Sequence, residues 1–270
     1  MIVLAHHYQN FTNLPGITGT IAVLGDDLID LDQNHNIAWV WNAFDHLCPS
    51  NPTSPCLDIN RQPMNFPDWL HSNALVYSQD DGNIVMSIRN QSWIVKIDYE
   101  DGQGTGDILW RLGYQGDFTL TNGQIPDWFS AQHYANIISP NSTGVFNLEL
   151  FDDGDNRVLD AAGDVCGVPG QPACWSRVPI YQIDESAMTA TIAWDDNLSP
   201  VFAFWGGSAQ QLPNSNVVFC ITTPSDDPAD GRYMEVTDDP SPQVVLKMEV
   251  TGQNAYRGVH MPSLYPGVQW

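Results

Sequence analysis

The residues in this sequence best suited to chemistry are His71, Asn73, Arg89 and His133, which lie in and between two aromatic-flanked segments, Asp68-Trp-Leu-His-Ser-Asn73 and Trp128-Phe-Ser-Ala-Gln-His133. If the first segment is extended, His71 and Asn73 are two residues apart and project from one face. Arg89 closes the run Ile84–Ile88, and a hairpin turning at Asp81–Asn83 returns residue 89 to the neighbourhood of residue 73. Gln132-His133 takes the equivalent place at the start of a later hairpin. An imidazole, an amide and a guanidinium in one cluster suit transfer of a group with several anionic oxygens. A neutral imidazole attacks, and fixed donors hold the charge on the oxygens. Arginine supplies planar, permanently charged donors for that purpose. The plainer alternative is a pair of satisfied core histidines and an arginine tied to one of the many carboxylates.

The chain has 270 residues, with nine Lys and Arg against 32 Asp and Glu and a formal net charge of −23. Such a balance argues against nucleic acid and anionic membrane surfaces as partners, since either needs a basic face. An anionic substrate must therefore be recognised by local donors, and the overall acidity reads as a solubility feature. No apolar run reaches the roughly 18 residues of a membrane span, and the opening Met-Ile-Val-Leu-Ala-His-His shows neither a basic leader nor a cleavage site. Cys48 with Cys56, and Cys166 with Cys174, form two close pairs in Pro- and Gly-rich surroundings. They fit the disulfides of an exported protein, with Cys220 left over, and the spacing is not that of a zinc site.

Short alternating runs of β-branched and aromatic residues, punctuated by 21 Gly and 19 Pro, predict an all-β protein. Hairpins around polar turns are expected over 74–87, 134–151 and 208–221. A second kind, with an acidic turn before a Trp- or Val-rich strand, is expected over 28–41, 94–110, 181–194 and 233–248. Their alternation matches four-stranded β-propeller blades, about three complete and one partial, in a single domain over residues 1–270. The acidic segments 30–36 and 152–155 read as blade turns, because neither has the spacing of a calcium loop. His46 reads as a loop or packing residue. Trp128, Phe129, Trp205 and Tyr265 are candidates for an aromatic wall against a phenol ring.

Six segments, in order, carry a resemblance: Asp68-Trp-Leu-His-Ser-Asn73, Ser87-Ile-Arg-Asn-Gln91, Ile108-Leu-Trp-Arg-Leu-Gly113, Gln132-His133, Phe151-Asp-Asp-Gly-Asp-Asn-Arg157, and Ser176-Arg177 with Ile183-Asp-Glu185. Together they resemble the bacterial arylsulfate sulfotransferases and their arylsulfotransferase-like relatives, over nearly the whole chain. The resemblance implies a six-bladed propeller, exported to the periplasm or beyond, that needs no cofactor and no nucleotide sulfate donor. The absence of a Gly-x-x-x-x-Gly-Lys loop agrees with that. About four blades are accounted for here, so an N-terminally incomplete propeller is expected. A further family histidine, in a His-Asp turn, is expected upstream of Met1, and His6, His7 and His46 are not matched to it.

The resemblance further implies a ping-pong transfer between small phenolic sulfate esters and phenols. His133 would be the transiently sulfated nucleophile. His71, Asn73 and Arg89 would hold the sulfuryl oxygens, with one histidine protonating the leaving phenolate. Asp153 stands where relatives usually carry Asn; an extra acid would weaken anion binding if it faced the ligand, and the position reads instead as an exposed turn residue. Arg257 and residues 261–270 resemble the family's C-terminal segment, read as the strand that closes the ring. The rival expectations are a catalytically silent propeller that binds ligands or proteins, and a hydrolase in which water replaces the acceptor phenol.

Overall fold

The computed structural model describes residues 1–14, 18–47, 68–139, 144–226 and 231–261. The Cys48 and Cys56 pair, Tyr265 and the expected closing strand beyond Met261 lie outside the described residues. The described chain is all-β, with one short α-helix, α1 (Ala43–His46), and falls into two compact units, Met1–Asp117 and Phe118–Trp270. Among the described residues no helix is long and apolar enough to cross a membrane.

In the first unit β1 (Ile2–Thr12), β2 (Thr20–Leu31) and β3 (Ile37–Asn42) form a three-stranded antiparallel sheet. A four-stranded meander follows: β4 (Ser72–Ser78), β5 (Asn83–Ile88), β6 (Trp93–Ile97) and β7 (Ile108–Leu112). The second unit opens with β8 (Thr119–Leu120), which pairs in parallel with the outer strand of the meander β9 (His133–Ser139), β10 (Val145–Phe151), β11 (Arg177–Asp184) and β12 (Thr189–Asn197). Its last sheet is β13 (Ser208–Gln211), β14 (Val217–Ile221), β15 (Gly231–Val236) and β16 (Val244–Val250). Each expected hairpin corresponds to an observed antiparallel pair, and these sheets are compatible with propeller blades.

The run Asn83–Ile88 and the run Trp93–Ile97 are buried along their whole length, which explains why they lack the alternation of half-exposed strands. They bury against the three-stranded sheet, so that Val23, Leu28 and Trp41 share one core with Ile84, Met86, Val95 and Ile97. A second core forms between the two sheets of the other unit, from Phe151, Val178 and Ile180 to Ala209, Val217 and Phe219. The outer strand β16 is exposed throughout.

The acidic turns have a local cause. Asp32 Oδ1 accepts the Asn34 and Asn36 backbone N–H groups at 2.7 and 2.9 Å, and Asp184 Oδ1 accepts those of Ser186 and Ala187 at 3.0 and 2.9 Å. Asp98 Oδ2 does the same with the Thr105 N–H and hydroxyl. A carboxylate in this position mimics a backbone turn, and these hydrogen bonds hold Asp32 and Asp184 below the usual carboxylate range. Cys166 and Cys174 form a disulfide, and Cys220 is a buried free thiol whose pKa burial pushes up to about 11.

One buried acid ties two sheets together. Glu149 of β10 is fully buried, accepts the Asn136 side-chain amide at 3.2 Å, and accepts the Gln211 N–H of β13 at 2.6 Å. Burial outweighs those two bonds and raises its pKa to about 7. The native state thus holds a proton that the unfolded chain releases near pH 4.5. The resulting stability is fully present below that pH and is lost as pH rises through about 7, at most about 3 kcal/mol by linkage. Glu149→Gln should therefore flatten this part of the pH dependence. Its melting temperature is expected to fall less than that of the wild type between pH 5 and pH 8, the pH values lying on either side of the ionisation. Equal slopes for the two proteins would refute the assignment.

Candidate active site

The first unit carries its candidate residues on a clamped loop. Asp68 bridges Leu24 of β2, and the Trp69 N–H donates to the Leu24 carbonyl at 3.0 Å. From the other side a single 3-10 turn, Arg89–Gln91, closes on the same loop. The Asn90 N–H and side chain donate to the Leu70 and Asp68 carbonyls at 3.0 and 2.6 Å, and Gln91 donates to the Trp69 carbonyl at 2.6 Å. Arg89 donates to Asn90 Oδ1 at 3.1 Å. Trp69 and Leu70 are buried, and the Trp69 ring stacks on Phe44 at 5.1 Å. Phe44 lies so close to Gly25 that an added Cβ would meet it at 2.7 Å.

This clamp sets His71 at the mouth of the β4–β5 hairpin. Ser72 pairs with Ile88, so His71 and Arg89 flank the same cross-strand pair, as the hairpin argument expects. The expectation that 71–73 is extended is not met. His71 has a φ of 52°, and Asn73 falls in the register shift between Ser72 and Ala74, so simple alternation does not relate the two side chains. His71 Nδ1 pairs with the Asp68 carboxylate. A carboxylate only accepts, so Nδ1 carries the proton and the neutral ring has its lone pair on Nε2.

A further histidine joins this loop through a buried acid. Asp26 accepts the Ser72 N–H at 2.8 Å and contacts His6 Nδ1 at 3.2 Å. Burial raises the Asp26 pKa against the pull of those two partners. His6 lies directly across from Asp26 in the β1–β2 pair, and no sequence motif marks it.

The second unit holds His133, Trp128, Phe129 and Trp205. His133 opens β9, pairs with Phe151, and is 1 % exposed. Its Nδ1 lies 2.9 Å from the carboxylate of Asp153. Asp153 is 0 % exposed, so the expectation of an exposed turn residue is corrected. The hairpin brings the residues just after β10 back beside the start of β9, as β4–β5 brings Arg89 beside His71.

The turn that carries Asp153 is rigidly built. Asp152 receives Arg157 Nη1 at 2.9 Å, Arg177 Nε at 3.1 Å and the Ser130 N–H at 2.9 Å. Ser176 Oγ donates to the Asp153 carbonyl at 2.8 Å. Gly154, at φ +87°, packs so closely that an added Cβ would stand 2.0 Å from the Trp175 carbonyl. The Cys166–Cys174 disulfide closes the adjoining loop, and the Cys166 sulfur contacts the Gly154 carbonyl at 3.3 Å.

The ring beside His133 is Tyr256, edge-on at 5.8 Å between centroids, and Trp205 stacks on Tyr256 at 6.1 Å. Tyr256 is docked by its carbonyl, which accepts the Gly207 N–H at 2.9 Å and the Thr222 hydroxyl at 3.2 Å. Arg257 lies over the Tyr256 and Tyr134 rings at 4.9 and 5.2 Å. Trp128 and Phe129 are both buried and pack against Tyr181, whose hydroxyl donates to the Asp127 carbonyl at 2.7 Å. Their size and apolarity suit a core as well as a wall, and here packing against Tyr181 occupies them.

The arylsulfotransferase (ASST) family model matches residues 1–257. The chain belongs to that family, which supports an arylsulfotransferase-type activity in general. No individual curated protein matches it.

The buried Asp152 carboxylate with its two guanidinium partners positions the turn behind His133. Neutralising one member of such a group leaves buried charge without compensation, at a cost of about 3 kcal/mol. Asp152→Asn should therefore lower the urea-unfolding free energy by about that amount. A change within about 0.5 kcal/mol, the usual range for surface substitutions, would show that the network is not what holds the turn.

Proposed function

We propose that the protein moves a sulfuryl group from a phenolic sulfate ester to a phenol through a sulfated His133, within a β-propeller exported to an oxidising compartment. The observation that carries this reading is the His133–Asp153 contact. With Nδ1 donating to a carboxylate, the neutral ring has its lone pair on Nε2, which is the form a nucleophilic imidazole needs. Family membership supplies the reaction class, and the Cys166–Cys174 disulfide supports the compartment.

In the first half-reaction the Nε2 lone pair forms a bond to sulfur while the ester S–O bond breaks. Its electron pair leaves on the phenolate oxygen, which then takes a proton. In the second half-reaction a phenol oxygen attacks sulfur and gives up its proton, and the N–S bond electrons return to Nε2. Following the resemblance, His71, Asn73 and Arg89 act on the sulfuryl oxygens, and a histidine delivers the leaving-group proton. Fixed donors of this kind favour the transition state, where the oxygens carry the most charge. The faces of Tyr256 and Trp205 suit a phenol ring, with offset or edge contacts worth about 0.5–1.5 kcal/mol beyond area burial.

The test is release of nitrophenol from 4-nitrophenyl sulfate together with formation of a sulfated second phenol. His133→Asn should abolish release while leaving the far-UV circular dichroism unchanged, with a lower melting temperature because the buried Asp153 loses its partner. Arg89→Ala should lower turnover about tenfold or more, as loss of a transition-state donor does. Release that needs no acceptor would indicate a hydrolase, and silence with a range of aryl sulfates a binding propeller.

A further inference from the structure

We propose that the Asp153 carboxylate acts as the counter-ion of sulfated His133, so that loading of the sulfuryl group is fast and its discharge into the acceptor limits turnover. This deepens the transfer reading and rests on it. It adds a positioning residue and assigns the slower half of the reaction.

Electrostatics separates the two states of the ring. Before attack the His133 ring is neutral and donates its Nδ1 proton to Asp153 across 2.9 Å. After the N–S bond forms at Nε2, the same proton remains on Nδ1 and the ring carries an imidazolium charge beside its anionic sulfonate. Only in that second state does the ring itself present a full positive charge to the carboxylate. Asp153 is 0 % exposed and His133 is 1 % exposed, so water screens little of the attraction. An interaction that strengthens as the ring becomes charged lowers the barrier to loading. The same interaction must be given up when the N–S bond breaks and the ring returns to neutrality, so it raises the barrier to discharge.

The adjacent acid is engaged elsewhere. Asp152, its neighbour in sequence, is neutralised by Arg157 and Arg177. Groups near the ring include Tyr256, which meets it edge-on, and Arg257, which lies over the Tyr256 and Tyr134 rings. The Asp153 backbone is held in place, because its carbonyl accepts from Ser176 and the next residue, Gly154, donates to the Ser130 carbonyl at 2.9 Å.

Rapid mixing of 4-nitrophenyl sulfate with wild type and with Asp153→Asn, without and then with an acceptor phenol, tests the inference. The amide keeps an acceptor oxygen at the same place and removes the charge. Wild type should release a burst of nitrophenol equal to the enzyme present, followed by phenol-dependent turnover. In Asp153→Asn the burst should slow about tenfold or more, while discharge of the sulfated enzyme into phenol stays the same or quickens. Nitrogen NMR should also show the His133 ring titrating about one pKa unit or more lower in the variant.

Equal burst and discharge rates in the two proteins would overturn the inference and leave the transfer reading intact. So would equal slowing of both halves, which marks a merely structural role. Absence of any release by wild type would remove the transfer reading and this inference together. If Asp153→Asn does not fold, wild type alone decides: a burst before the steady state supports the inference, and linear release without one overturns it.

Discussion

The hydrogen bond between the Nδ1 edge of an imidazole and a neighbouring carboxylate is the interaction on which the candidate residues of each unit depend. His133 makes it with Asp153, His71 with Asp68 and His6 with Asp26. A side chain that can only accept determines which ring nitrogen carries the proton, and so which one can attack, accept a proton or deliver one. Two of these pairs arise from strand pairing: His6 lies opposite Asp26, and His133 opposite Phe151, two residues before Asp153. The β-sheet register is therefore also the device that sets the state of the rings.

Local engagement of the acids reconciles a net charge of −23 with the proposed chemistry on anions. Many acids are already engaged locally. Asp32, Asp98 and Asp184 close turns by accepting backbone N–H groups, and Asp152 sits between two guanidinium groups. Acids used in these ways project little field beyond their own partners, so the formal charge is a poor guide to the potential near the histidines. Asp152 and Asp153 make the point most sharply. They are adjacent and both fully buried, yet one stabilises the turn through two arginines and the other faces an imidazole.

The hairpins were legible in the sequence because turn chemistry and strand composition are local. Gly82 at φ 70° and the Asn83 N–H bond to Asp81 are what the Asp80-Asp81-Gly82-Asn83 segment suggests. The placement of Arg89 near His71 was legible too, because a hairpin register follows from its turn. The same rule applied to β9 and β10 would have found Asp153, but an Asp-Asp-Gly run reads first as an exposed turn. The left-handed backbone of His71 and the register shift at Asn73 left no pattern, since both depend on how residues 89–91 clamp the loop. Nor could composition separate Trp128 and Phe129, which pack on Tyr181, from Trp205, which stacks on Tyr256. Those assignments depend on partners distant in the chain.

The central claim is that the Nε2 of His133 becomes covalently sulfated. Mixing the protein with an aryl sulfate in the absence of acceptor, quenching under alkaline conditions that preserve N–S bonds, and mapping the proteolytic peptides by mass spectrometry tests it directly. The account predicts the added mass of one SO3 group on the peptide carrying His133, lost when a phenol is added before the quench. Nitrophenol release with the SO3 on another residue, or with no protein-bound SO3 at any time, would contradict it.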